Sequence, residues 1–129
     1  MNMYRSILSL AALTAGLLSA QPSLTTQYTY KVIDYPGSIY TFPLGINDQR
    51  VIAGFFGDQI GVGHGFLWKN GAFTQLDFPG ALQMPGAGTV AGGIDNRGDV
   101  VGTYTDSKGF QHGFKMARPE WCEEEDDDN

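Results

Sequence analysis

Cysteine is nearly absent. Cys122 stands alone, so no disulfide within the chain can staple the fold, and in an oxidising compartment such a thiol either pairs between chains or stays free. Glutamate is missing ahead of Glu120. Between Tyr28 and Arg118 the seven aspartates are matched by Lys31, Arg50, Lys69, Arg97, Lys108, Lys115 and Arg118, and the remaining acids, Glu120, Glu123, Glu124, Glu125, Asp126, Asp127 and Asp128, crowd the end. A neutral body has no basic face with which to offset phosphates, which excludes nucleic acid as a partner. The end, residues 119–129, reads as an acidic, disordered tail, because like charges in a block repel one another.

Catalytic signatures are missing as well. There is no Gly-x-Ser-x-Gly, no His-Glu-x-x-His and no phosphate-cradling loop, since GAGTVAGG at 86–93 has neither a lysine nor the pattern of a following helix. Nothing in the spacing of the seven aspartates singles out an acid/base pair. No apolar run reaches the roughly 20 residues of a membrane-spanning helix. The nearest, Ile7 to Leu18, follows Arg5 and precedes Ser19-Ala20, the pattern of a secretory signal. Residues 1–20 are therefore expected to be a signal peptide and 21–27 a linker. The mature protein is expected outside the cell or in the periplasm, with no membrane insertion after cleavage.

What the chain does have is glycine, 18 in 129 residues, and a stretch written twice. Glycine is costly inside helices and useful in turns and bulges, so the excess points to short strands joined by tight turns. GINDQRVIAGFFGDQIGVGHGF at 45–66 aligns without gaps, at an offset of 48, with GIDNRGDVVGTYTDSKGFQHGF at 93–114. The two agree at Gly45/Gly93, Ile46/Ile94, Gly54/Gly102, Asp58/Asp106, Gly61/Gly109, His64/His112, Gly65/Gly113 and Phe66/Phe114. A period of this length belongs to propellers and solenoids. A second echo, YKVIDYPG at 30–37 against FTQLDFPG at 73–80, has an offset of 43, so the second unit carries five extra residues within Ala81 to Gly92. That glycine-rich stretch, ALQMPGAGTVAG, reads as a loop on one rim.

Alternation and turn signals predict strands at 28–34, 39–46 (kinked near Pro43), 51–56, 64–68 and 72–77, with Lys69-Asn70-Gly71 as a hairpin turn. The second unit supplies 89–95, 99–104 and 111–116 and then lacks its fourth strand. The expected fold is all-β: two four-stranded antiparallel, propeller-blade-like repeats over 28–118, of units 38–80 and 81–118 plus 28–37. The N-terminal strand completes the last repeat, which would remove an exposed edge. Two blades are fewer than the usual four to eight. Three solutions are open: several chains forming one propeller, a compact eight-stranded sandwich or barrel, or a piece of a longer repeat protein.

The phrases GIND, VIAGFF-D, HGFLW, G-FTQLDFPGA, GIDNRGDVVGTYTD and HGF resemble the HAF-type extracellular repeat of exported bacterial proteins, named for its His-Ala/Gly-Phe core. The resemblance covers roughly residues 30–116. It implies a secreted, β-rich, propeller-like protein and implies no catalytic residues. Arg50, where the second unit has Gly98, departs from the pattern.

Asp58 with His64, and Asp106 with His112, are six apart in both copies and could be metal ligands or bases. Catalytic groups normally occur once, so these four are read as repeat scaffold. Asn47, Asp48, Asp58, Asp95, Asn96 and Asp106 offer oxygen ligands for Ca2+, yet Asn, Asp and Gly are ordinary turn chemistry, and turns are the preferred reading. Tyr35, Tyr40, Phe55, Phe56, Trp68, Phe78 and Tyr104 exceed what turns need and could stack on sugars or anchor a protein. Trp68, Arg97, Tyr40 and Tyr104 are the candidate ligand-binding residues; Phe66 and Phe114 are read as core. The sequence thus points away from an enzyme and toward a secreted structural or binding module that self-associates or takes a glycan or protein ligand. The alternatives are a carbohydrate-binding or carbohydrate-acting propeller with a site between chains, and a calcium-stabilised adhesin module.

Overall fold

The structure, a computed structural model, describes residues 26–117. Lys31 ends a first unit whose described residues hold no strand, and a second unit starts at Val32. In this second unit seven strands follow one another: β1 (Tyr40–Ile46), β2 (Ile52–Gly57), β3 (Gly63–Lys69), β4 (Ala72–Leu76), β5 (Thr89–Ile94), β6 (Val100–Thr105) and β7 (Gln111–Met116). They form two antiparallel sheets, in the orders β1-β2-β3-β4 and β5-β6-β7. The described residues contain no helix.

Local chemistry explains the strand ends. Asn70 (φ 51°) and Gly71 (φ 87°) are both left-handed, as a two-residue hairpin that matches strand twist requires. The register of β1 on β2 slips between Pro43 and Gly45, and that of β5 on β6 slips between Ala91 and Gly93, 48 residues on. Proline has no N–H to give to a ladder, so a bulge is where it fits. Arg50 takes φ 61° where Gly98 takes 87°, so the departure in sequence is no departure in backbone.

The core lies between the sheets. Ala53, Leu67 and Leu76 of the first meet Ala91, Ile94, Val100 and Met116 of the second. Gly65 keeps the approach short: a Cβ there would lie 3.4 Å from the Ala91 Cβ and 2.6 Å from the Leu76 carbonyl oxygen. At one end the duplicated turns clasp each other. Asn47 Nδ2 donates to the Asp95 carbonyl at 3.0 Å, the Asp48 N–H donates to Asn96 Oδ1 at 2.9 Å, and Asn96 Nδ2 donates to Asp48 Oδ2 at 2.7 Å.

Two expectations are corrected. Residues 28–34 are not a strand, so the described residues hold seven strands and not eight, and the sheets do not close into a barrel. Tyr28, Tyr30 and Val32 are 75%, 92% and 80% exposed. A strand without a neighbouring edge satisfies neither its backbone groups nor its apolar side chains, so it does not form alone. The stretch 81–92 is also not a rim loop throughout. Its last four residues begin β5, and the residues before them bond to both sheets. Gly63 N–H donates to the Ala87 carbonyl at 2.7 Å, Gly86 N–H to Gly61 at 2.9 Å and Thr105 N–H to Gly88 at 2.9 Å. Gly63 and Gly88 form a parallel bridge that joins the two sheets. The expected signal peptide, most of the expected linker, Cys122 and the acidic stretch at 119–129 lie outside the described residues.

Candidate functional site

The repeated histidines open β3 and β7, facing the turns that precede those strands. Asp58 caps its own turn: Oδ1 accepts the N–H groups of Ile60 and Val62, both at 3.0 Å, which leaves Oδ2 for His64 Nε2 at 3.0 Å. Asp106 does the same in the second unit. Its Oδ1 accepts from Lys108 at 2.8 Å and Phe110 at 2.9 Å, and its Oδ2 meets His112 Nε2 at 2.7 Å. A spacing of six residues thus spans one tight turn and reaches the second position of the following strand.

The first unit goes one step further. His64 Nδ1 lies 3.0 Å from both carboxylate oxygens of Asp77, the residue that follows β4. Gln75 Nε2 donates to Asp77 Oδ2 at 2.7 Å and also lies 3.2 Å from His64 Nδ1. Nδ1 cannot donate to Asp77 and accept from Gln75 at once, and the shorter contact assigns the amide to Asp77. A ring with a carboxylate on each nitrogen uses both N–H donors, which only the imidazolium possesses. Burial opposes that charge, and the bonds to Asp58 and Asp77 outweigh it, so the His64 pKa stands above its ordinary value. Asp58 is held below the usual carboxylate value chiefly by the hydrogen bond from His64, and Asp106 chiefly by that from His112. The His64 side chain is 10% exposed, whereas the His112 side chain is 46% exposed.

Aromatic rings complete both arrangements. Tyr35 stacks on Phe56 at 3.6 Å and Phe56 on His64 at 5.2 Å; in the second unit Phe78 stacks on Tyr104 at 3.7 Å and Tyr104 lies against His112 at 5.3 Å. Each DYPG or DFPG turn is pinned in the same manner: Tyr35 N–H donates to Thr41 Oγ1 at 2.9 Å and Phe78 N–H to Thr89 Oγ1 at 3.0 Å.

The four candidate ligand residues are not gathered in one place. Tyr104 is taken up by the stack just described. Tyr40 covers Gly57 in a cluster with Phe42 (5.4 Å) and Phe55 (5.9 Å). Arg97 is exposed in the turn whose N–H groups Asp95 accepts, and Trp68 is half-buried in β3, opposite Ile52 and Phe73. Two surface cavities, of about 280 and 590 Å3, are lined by none of the four. Phe66 is fully buried and Phe114 half-buried. Gln75 and Asp77 are the members of the His64 network that sequence reasoning missed; the repeated phrase with Asp34 in the place of Asp77 was the signal that could have found them. Among the described residues no group of three or more His, Cys, Asp or Glu side chains is arranged to hold a metal ion. Comparison with protein-family models, curated proteins and solved structures gives no match.

Proposed function

We propose that the protein is a secreted, non-enzymatic β-repeat module, structural or binding in role, of the HAF type. Its two sheets are blade-like units of a propeller-like arrangement. One observation carries this reading: each repeated histidine is bonded through Nε2 to the aspartate that caps the turn of its own unit, in both copies. A base that serves a substrate needs a free lone pair aimed at a cleft, and His64 has a carboxylate on each nitrogen. The neutral body and the secretory pattern at the N-terminus agree with a role outside the cell. Purified protein offered a panel of glycans and esters is expected to turn over none. Turnover that disappears in Asp58→Asn or His112→Gln would refute the reading.

The carbohydrate-binding alternative has one observation in its favour. The larger cavity, about 590 Å3, sits beside the clasped turns and is lined by Asn47, Gln49, Thr74 and Asn96 as well as Leu67 and Ile94, a mixture able to hydrogen-bond hydroxyls over an apolar floor. Titration with oligosaccharides, followed by shifts of these amide resonances, tests it.

A further inference from the structure

Three features of the second sheet lack the neighbour that their counterparts have in the first. Among the described residues β7 ends its sheet, whereas β3 pairs with β4 from Gly65 to Lys69. His112 Nδ1 has no partner among the described residues, whereas His64 Nδ1 has Asp77. A cavity of about 280 Å3 opens beside Phe78, Phe114 and Met116. In the first unit the corresponding space holds the ring of Phe73, which lies 5.0 Å from Tyr35 and 5.3 Å from Phe66.

The chain holds a second version of the strand that supplies these neighbours. YKVID at 30–34 corresponds to FTQLD at 73–77, so Tyr30 stands for Phe73 and Asp34 for Asp77. Tyr30 is 92% exposed, Asp34 is exposed, and residues 28–34 carry no strand. We propose that the free edge of β7 is a docking site for residues 29–33 of a second copy of this chain, with Tyr30 entering the cavity and Asp34 reaching His112. The inference rests on reading the two sheets as blade-like units.

A second copy, and not the same chain, is the occupant because of where the linking turns are held. The DFPG turn carries the chain from β4 of one sheet onto Tyr104 of the next, and the DYPG turn holds Tyr35 on Phe56 of the first sheet. The same step taken backwards assigns residues 29–33 to a sheet that precedes the first. The described residues contain no such sheet, and the second sheet of another copy supplies one. The outer face of the second sheet agrees: Val101 is 53% exposed, whereas its counterpart Ala53 is fully covered. The register Gly65↔Leu76 to Lys69↔Ala72 transfers to positions 113↔33 through 117↔29. It sets Lys31 opposite Lys115, and the carboxylate of Asp99, 3.0 Å from Lys115 Nζ, offsets that charge. With one donor strand and one acceptor edge per chain the contact is head-to-tail. Two copies would then close a ring of four sheets, which is within the usual range of propellers.

Cross-linking tests this in a Cys122→Ser background. Positions 117 and 29 inherit the pair Lys69↔Ala72, both of whose members are exposed, so cysteines there leave the strand contact intact. Chains carrying Ala117→Cys alone are mixed with chains carrying Thr29→Cys alone under mild oxidation. The expected result is a covalent heterodimer formed far faster than either homodimer, and Tyr30→Ala in the Thr29→Cys chain should weaken the association at least about tenfold. Two results overturn the proposal: no preferential heterodimer, or a doubly substituted chain that bridges internally and runs as a single chain. Because the readout is not activity, a heterodimer formed by a protein that hydrolyses a glycan would leave the docking intact and refute only the non-enzymatic reading.

Discussion

Replacing Gly88 by alanine should cost far more than replacing Gly86, although both lie in the same glycine-rich connection. Gly88 has φ 121°, and a Cβ built on it would sit 1.9 Å from the Gly63 carbonyl oxygen and 2.9 Å from the Gly63 nitrogen. Backbone cannot yield as a flexible side chain does, so the parallel bridge between Gly63 and Gly88 must open. The neighbouring bonds from Gly63 N–H to Ala87 and from Thr105 N–H to Gly88 would be weakened with it. Forcing an alanine into that φ region costs about 1–3 kcal/mol. Two disturbed backbone hydrogen bonds add about 1 kcal/mol each. The sum is roughly 3–5 kcal/mol, equivalent to a fall in melting temperature of at least about 12 °C for a domain of this size. Gly86 has φ 79° and open space around its Cβ position, so alanine there should cost only about 1–2 kcal/mol. Thermal unfolding followed by circular dichroism compares the two. Equal losses for Gly86→Ala and Gly88→Ala would refute the claim that this connection zips the sheets together.

Stability should depend on pH with a maximum in mildly acid solution. Asp58 and Asp106 are lowered in the fold, so their contribution is present above the ordinary value of 3.8 and is lost as pH falls through the folded values. His64 is raised, so its contribution is complete below 6.5 and is lost as pH rises through its folded value. Melting temperatures should peak between these limits, and in His64→Gln the decline on the alkaline side should shrink. Arg50→Gly should raise stability by about 0.5–1 kcal/mol, because it relieves a left-handed non-glycine residue at an exposed turn, whereas Gly98→Ala should lower it by about 1 kcal/mol; urea titration measures both. Phe66→Ala, at a fully buried ring, should cost about 3–5 kcal/mol by the same titration, and a loss below about 1 kcal/mol would contradict its place in the core. Chelation by EDTA is expected to leave the melting temperature unchanged, and a fall would favour the calcium-stabilised adhesin.

Much of the fold is legible in the sequence because the strands and turns obey local rules. Asn70-Gly71 dictates the β3–β4 hairpin, the kink expected near Pro43 is the bulge of β1 on β2, and Asp58 and Asp106 mark the turns they cap. What local rules do not reveal is partnership at long range. Gly88 reads as an ordinary loop glycine until Gly63 is seen against it. Tyr35 and Phe78 read as binding aromatics and turn out to be stacked on Phe56 and Tyr104, each turn against the sheet that follows it. Tyr28 to Asp34 alternates as a strand should, yet strand formation depends on a free edge, which alternation alone does not supply. Asp77 joins the His64 network through strand pairing, so the six-residue spacing found one carboxylate of the pair and missed the other.

The most direct test of self-association through a shared strand is the solution mass of the purified protein by sedimentation or light scattering over a range of concentrations. Assemblies at whole multiples of the chain mass, beginning with a dimer and dissociating in Tyr30→Ala, are the predicted result. A single-chain mass at every concentration, unchanged by that substitution, would contradict it.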